Sequence, residues 1–385
     1  MLDASTGPRA VSIAVSYDRD AATAVAEIAR QIDTSSCCFL LAFVPGTLDK
    51  DGFVAALNTH WPGVPAYGCT TAGQITPKGY ETDALLVISF PKQHFRCSTM
   101  LISPLKPLSI KQIAADAQKL SMQFQKTANW DRMALTFTDG LSKQEDMLVA
   151  ALETGLGDMP VFGGSAGDAL EFKETSVLHG GQFHTNAALV LLLETDMEFT
   201  GLGFDHFLPT HHQMVVTDAI PEERLVLEIN GSPAAQEYAR LVGVSVEDLS
   251  PQVFAENPVL VRNNALYHVR AIQKVQDGGA LSFFSAIDDG LLLTLGRGTE
   301  ILQTLDTELD VKSSLGKKPE FVLGFDCFLR KLEIEQKQLT QHASETLRQR
   351  KVVGFNTFGE QHCGVHVNQT FVGVAFFEPR KRNLH

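Results

Sequence analysis

Three stretches of this chain repeat one design: Tyr67-Gly-Cys-Thr-Thr-Ala-Gly-Gln74, Phe162-Gly-Gly-Ser-Ala-Gly-Asp168 and Gly354-Phe-Asn-Thr-Phe-Gly-Glu360. Each follows an apolar strand (Phe39 to Val44, Ala134 to Thr138, Phe321 to Phe325) and an amphipathic helix. Each precedes a second apolar strand (Ala84 to Phe90, Ala187 to Leu193, Thr370 to Phe377). Strands and helices that alternate in this way fold into layers, with helices covering the sheet they connect. Taken alone, each glycine segment reads as a tight turn at a strand end, where residues tolerant of positive φ are needed.

With 385 residues, 44% hydrophobic and 20% charged, the chain has globular composition and enough length for two domains. Near residue 200 the repeated unit gives way to short strands and tight turns. The expected fold is therefore α/β (α+β): two layered domains, 1–199 and 200–385, built from repeated strand-helix-strand units with mostly antiparallel sheet. A net charge of -13 repels phosphate backbones and anionic lipid, so neither nucleic acid nor membrane is expected as a partner. Met1 to Tyr17 has no basic start followed by an apolar core, and the apolar run Ala187 to Leu193 is too short to span a bilayer. A cytoplasmic location is expected. The six cysteines show no paired zinc spacing and read as reduced thiols, mostly buried.

Spacing predicts helices over Ala21 to Ile32, from Ser109 through Phe124, and from Lys143 to Leu156 behind a Ser142-Lys-Gln-Glu145 capping box. Ser232-Pro233 should open a helix that stops near Gly243. A long helix is expected from Cys327 to Arg348. Phe95 to Ile102 should lie antiparallel to Ala84 to Phe90. Ala265 to Val275, Leu281 to Ala286 and Leu291 to Leu295 should form an antiparallel meander. The strand bearing Ile13 and the meander strands offer edges for a homodimer.

Several residues invite chemistry. Cys69 and Ser165 lie in glycine segments where backbone N–H groups could hold an anion, yet neither has a base nearby in sequence. Cys363 is a second thiol candidate for a cysteine-dependent enzyme. His362-Cys363-Gly-Val-His366 has the spacing of a metal corner, but one corner is an incomplete zinc site. In a Val365 to Phe377 strand, His366, Asn368 and Thr370 would form a polar row on one face. His206, flanked by Phe204 and Phe207, is either a hydrogen-bonded core histidine or a ligand to heme iron under aromatic cover. His268 is a further candidate, sharing a strand face with Arg270, which could pair with a porphyrin propionate. His211 and His212 stay open as ligands.

The glycine segments, together with Glu228-Ile-Asn-Gly-Ser-Pro-Ala-Ala235, Tyr238-Ala-Arg240 and Asn368-Gln-Thr370, resemble the FIST sensory domain family, with a FIST N-terminal and a FIST C-terminal domain. The resemblance implies a ligand-binding sensor of bacterial signal transduction and no enzymatic activity. His206-Phe-Leu-Pro-Thr210, Val269 to Val275, Ser282 to Ile287 and Phe325 to Arg330 resemble the nitric-oxide-sensing branch, NosP. That narrower resemblance implies heme b, with His206 on the iron, nitric oxide as its ligand, and a separate histidine kinase as partner. The alternative is a FIST sensor of an amino acid or other small metabolite, held by the glycine segments and Arg270.

Overall fold

The repeated unit forms most of the molecule and occurs three times. The computed structural model describes residues 10–169, 171–263, 266–362 and 364–379. The first copy runs β1 (Ser12–Ser16), α1 (Ala21–Ala29), β2 (Cys37–Pro45), α2 (Lys50–His60), β3 (Ala66–Thr71), a hairpin of β4 (Gln74–Thr76) and β5 (Gly79–Glu81), then β6 (Leu85–Pro91). The second keeps that order: β7 (Phe95–Ile102), α3 (Ile110–Gln123), β8 (Asp131–Thr138), α4 (Glu145–Leu156), β9 (Val161–Ser165), the hairpin β10 (Val177–His179) and β11 (Gln182–His184), and β12 (Ala188–Thr195). The third opens with β13 (Met197–Phe204) and is then interrupted.

The interruption is an antiparallel insert. It comprises β14 (Phe207–Ile220), β15 (Leu225–Ile229), β16 (Ser232–Pro233), α5 (Ala234–Val242), α6 (Pro251–Glu256), β17 (Val259–Asn263), β18 (Leu266–Arg270), β19 (Ile272–Val275), β20 (Leu281–Phe283) and β21 (Leu292–Gly298). The third copy then resumes with α7 (Ile301–Glu308), β22 (Phe321–Cys327), α8 (Phe328–Gln336), α9 (Thr340–Gln349), β23 (Val352–Thr357), the hairpin β24 (Glu360–His362) and β25 (Val365–Val367), and β26 (Phe371–Pro379). Mixed α/β layers with mostly antiparallel pairing are thus present, as expected. The expected division at 199/200 falls inside β13.

Each copy gives away its hairpin. The three sheets run β1-β6-β2-β3-β10-β11, β7-β12-β8-β9-β24-β25 and β13-β26-β22-β23-β4-β5. The second copy's hairpin thus completes the first sheet, the third copy's completes the second, and the first copy's completes the third. Where the sheets meet, Phe43, Phe137 and Phe325 take equivalent places and pack together with Phe355, ring centroids lying 4.6 to 6.0 Å apart. Full burial of such rings removes large apolar area from water and supplies the main cohesion of the ring.

The glycine segments begin in strands and leave them only after Thr71, Ser165 and Thr357. Gly68, Gly163 and Gly354 sit on β3, β9 and β23, opposite Ala42, Thr136 and Gly324 of the parallel neighbour. A Cβ at these sites would lie 1.8, 1.9 and 1.8 Å from the partner's carbonyl oxygen. Close approach within the sheet therefore excludes any side chain here.

Other expectations need correction. The Ser142 capping box does not form: Lys143 has φ 57° and Ser142 Oγ accepts from Gln144 N. The helix starts at Glu145, whose carboxylate pairs with Arg224 at 2.6 Å. Ser232-Pro233 forms a short strand on β15, and α5 begins behind it without a side-chain cap, although Gly243 ends it in the left-handed conformation as expected. The 327–348 helix breaks at Gln338 (φ 58°), which swings α9 onto the imported hairpin, where Ser344 Oγ accepts from Tyr80 N at 3.1 Å. Strand β7 pairs with β12, not β6, because it begins a new copy. The 265–275 segment bends at Ala271 into β18, paired with β17, and β19, paired with β20. The 365–377 strand is interrupted at 368–370, where Gln369 takes φ 50°. Ala265 lies outside the described residues.

Candidate functional site

The exchanged hairpins occupy equivalent places, so their differences can be read position by position. Facing pairs are Ile75 and Tyr80 in β4–β5, Leu178 and Phe183 in β10–β11, but Gln361 and His366 in β24–β25. Two copies spend this position on core packing. The third buries a glutamine and a histidine, 0% and 2% exposed. Buried polar groups without partners cost roughly 1–3 kcal/mol each, so their retention points to use.

Hydrogen bonding here is incomplete. Gln361 Nε2 donates to Ser165 Oγ at 2.9 Å and to His366 Nδ1 at 3.5 Å, which leaves the ring proton on Nε2. Burial holds the His366 pKa below its ordinary value, so the ring is neutral. Four buried atoms of this cluster lack partners: Gln361 Oε1, His366 Nε2, Asn368 Nδ2 and Arg270 Nε. Gly359 permits the convergence, since a Cβ there would lie 2.8 Å from His366 Nε2 and 3.0 Å from Asn368 Nδ2.

The cluster lies on the seam between insert and ring. From the insert, Arg270 Nη1 donates to His366 O at 3.0 Å, Ala271 N to Asn368 Oδ1 at 3.4 Å, and Ser285 Oγ also bonds Asn368 Oδ1. Arg224 reaches across to Glu145 at 2.6 Å and Asp146 at 3.1 Å, and Ala286 N donates to Asp146 at 3.0 Å. Burial acts to raise the Asp146 pKa, but the Arg270 and Arg224 guanidinium groups and the Ala286 N–H hold it below the ordinary carboxylate value. Arg224 thus satisfies the acidic pair, whereas Arg270 stands 3.8 Å from Asp146 and keeps an N–H to spare. Three unmet donors and one unmet acceptor make a set suited to a carboxylate that also carries a donor.

His206 is placed differently. It is 3% exposed, its Nδ1 accepts from Arg330 Nη1 at 3.2 Å, and its Nε2 donates to Glu333 at 3.0 Å. Arg330 also holds Asp326 at 2.8 Å, and Asp326 takes the Tyr80 hydroxyl. The backbone oxygen of His206 accepts from Thr299 N and Thr299 Oγ1, both at 2.8 Å, joining the two chain passages into the insert. Phe204 stacks on Phe371 at 5.1 Å, and Phe207 lies 4.1 Å from the His206 ring.

These residues do not fit a heme in this arrangement, because both His206 nitrogens are engaged and neither offers iron a lone pair. The remaining sequence candidates divide between the surface and the neighbourhood of Asp205. His211 and His212 are exposed on β14, whereas half-buried His268 on β18 lies within electrostatic reach of Asp205 and of His362. His362 stacks on Phe162 at 5.6 Å. Cys69 is a core residue matching Gly164 and Phe355 in the other copies, and its burial pushes the thiol pKa well up, against a nucleophilic role. Cys363 lies outside the described residues. Among the described residues, no three His, Cys, Asp or Glu side chains are grouped to hold a metal, and no helix is long and apolar enough to cross a membrane.

Arg270, His366 and Asn368 are visible in the sequence, and Glu145 only as a capping-box residue, whereas Gln361, Asp146 and Arg224, taken singly, give no signal there. Alignment of the three hairpins within the chain exposes Gln361 and His366 as the odd pair. The ion pairs across the seam carry no comparable pattern. The chain matches the FIST N domain over residues 12–232 and the FIST C domain over residues 234–363. No curated protein matches it.

Proposed function

The chain belongs to the FIST family, whose domains are sensory modules of signalling proteins, and on that premise we propose that its input is a small solute bearing a carboxylate and a hydrogen-bond donor. An amino acid or hydroxy acid has this form. The carrying observation is the unmet set at the seam: Arg270 Nε, His366 Nε2 and Asn368 Nδ2 as donors, Gln361 Oε1 as acceptor. Arg270 and Asn368 would take the carboxylate, and Gln361 would accept from the amine or hydroxyl.

A ligand at a seam can act as a signal only by binding one arrangement of its two sides better than another. Here the two sides are the insert, through Arg270 and Ser285, and the exchanged hairpin, through Gln361 and His366. The output proposed is a shift of the insert read by a partner, of which a histidine kinase is the kind implied by family resemblance.

Thermal unfolding with a panel of amino and hydroxy acids tests the reading. At least one should raise Tm in the wild type and fail to do so in Arg270→Ala. Heme-based nitric oxide sensing would require His206 to leave Glu333 and Arg330. A Soret band in protein purified from heme-replete cells, altered by nitric oxide and lost in a folded His206→Ala variant, would establish that reading and displace this one.

A further inference from the structure

Among the described cysteines, three are closed off from solvent. Cys37, Cys69 and Cys327 are buried, and burial raises the pKa of each. Cys38 and Cys97 are both half-buried and pack on the same margin of the central core as Tyr67, where β2 touches β7. Their strands belong to different sheets: Cys38 is on β2 of the first copy, Cys97 on β7 of the second. An irregularity in the β2–β6 pairing, between Cys37 and Phe39, separates the two neighbouring cysteines. Cys37 packs with the helices over the first sheet while Cys38 turns to Cys97.

The local charge favours reaction. The Cys97 thiol donates a hydrogen bond to Cys38, and Lys92 and Arg96 add positive charge nearby; together they lower the Cys38 pKa to about 7 against the opposing effect of burial. Cys97 is held protonated by the same contact, with its pKa raised. One thiolate beside one protonated thiol is the arrangement of an attacking and a resolving cysteine.

We propose that Cys38 and Cys97 form a redox-responsive pair that closes to a disulfide on exposure to hydrogen peroxide, stapling the first sheet to the second. The Cys38 thiolate attacks one peroxide oxygen, the O–O bond breaks, and the departing hydroxide takes a proton to become water. The resulting Cys38 sulfenic acid is attacked by the sulfur of Cys97. As the S–S bond forms, the sulfenic oxygen leaves as water with the Cys97 proton. Two thiols lose two electrons, and one peroxide is reduced to two waters.

The test is peptide mapping of the full chain after a brief peroxide pulse and thiol blocking. The expected result is loss of two of the six thiols, a Cys38–Cys97 linked peptide, and full recovery with dithiothreitol. Cys97→Ser should leave Cys38 as a sulfenic acid trapped by dimedone, and Cys38→Ser should leave Cys97 unoxidised at the same dose. Without any variant, wild-type Cys38 should react with iodoacetamide at pH 7 on the order of tenfold faster than Cys37. Free Cys38 and Cys97 after the pulse, a Cys37–Cys38 link, or a link between two chains would each overturn the proposal.

Discussion

His206 and His366 are both buried and both neighbour an arginine, but they are bonded in opposite ways. His206 uses both ring nitrogens on Arg330 and Glu333, and its backbone oxygen clips the entry to the insert. His366 bonds through Nδ1 and leaves Nε2 without a partner, amid three other unmet groups. Flanking aromatics, which drew attention to His206, are equally a sign of a packed core histidine. The two differ in how much hydrogen-bonding capacity is left unused, one donor of Arg330 in the first against three donors and one acceptor in the second, a difference that a sequence does not display.

If the His206 network is structural, breaking it should cost stability and spare ligand binding in the fraction that remains folded. Arg330→Met removes the cation that joins Asp326 to His206, both buried, and should destabilise by about 3 to 5 kcal/mol in urea unfolding. Loss within 1 kcal/mol would show that the network is not holding the insert's neck. Arg270→Ala should show the reverse: about 1 kcal/mol of stability, from one lost hydrogen bond, with ligand-induced stabilisation abolished. Unchanged ligand response in that variant would remove Arg270 from the site.

Much of the ring was legible because its information is local and repeated. Apolar runs and helical spacing marked β2, β8, β22 and α3, and Ser109 caps α3 through Gln112 N as its position suggested. Hairpin exchange was not legible, since β4, β10 and β24 are three-residue strands whose partners lie in another copy. The first glycine of each segment, Gly68, Gly163 or Gly354, shows in sequence only that a side chain is missing, not whether a turn or a neighbouring carbonyl forbids it. At the site, Arg270 and His366 stood out as residue types. Their convergence with Gln361 and Asn368 depends on the exchange, and so could not be read in advance.

The smallest expected effect sharpens the comparison of hairpins. Glu360 takes the place of Gln74, and the two side chains bond alike: Gln74 to Thr71 Oγ1 and Ala84 N, Glu360 to Thr357 Oγ1 and Thr370 N. Burial raises the Glu360 pKa well above 4.5, so the folded protein keeps this proton when the unfolded chain has lost it. The stability tied to that proton is full below the unfolded pKa and is lost as pH rises toward the folded one. Glu360→Gln should therefore be tolerated, and its Tm advantage over the wild type should grow between pH 5 and pH 8. A gap that stays constant or shrinks would mean that Glu360 is ionised in the fold.

The central claim is that the third hairpin has exchanged core packing for ligand binding. Calorimetric titration of a Tm-raising solute into wild type and into the double variant Gln361→Ile with His366→Phe tests it most directly. The variant carries the apolar pattern of the other hairpins, so it should fold with stability equal to or about 1 kcal/mol above the wild type and give no binding heat. Binding of undiminished affinity by the folded double variant would contradict the claim.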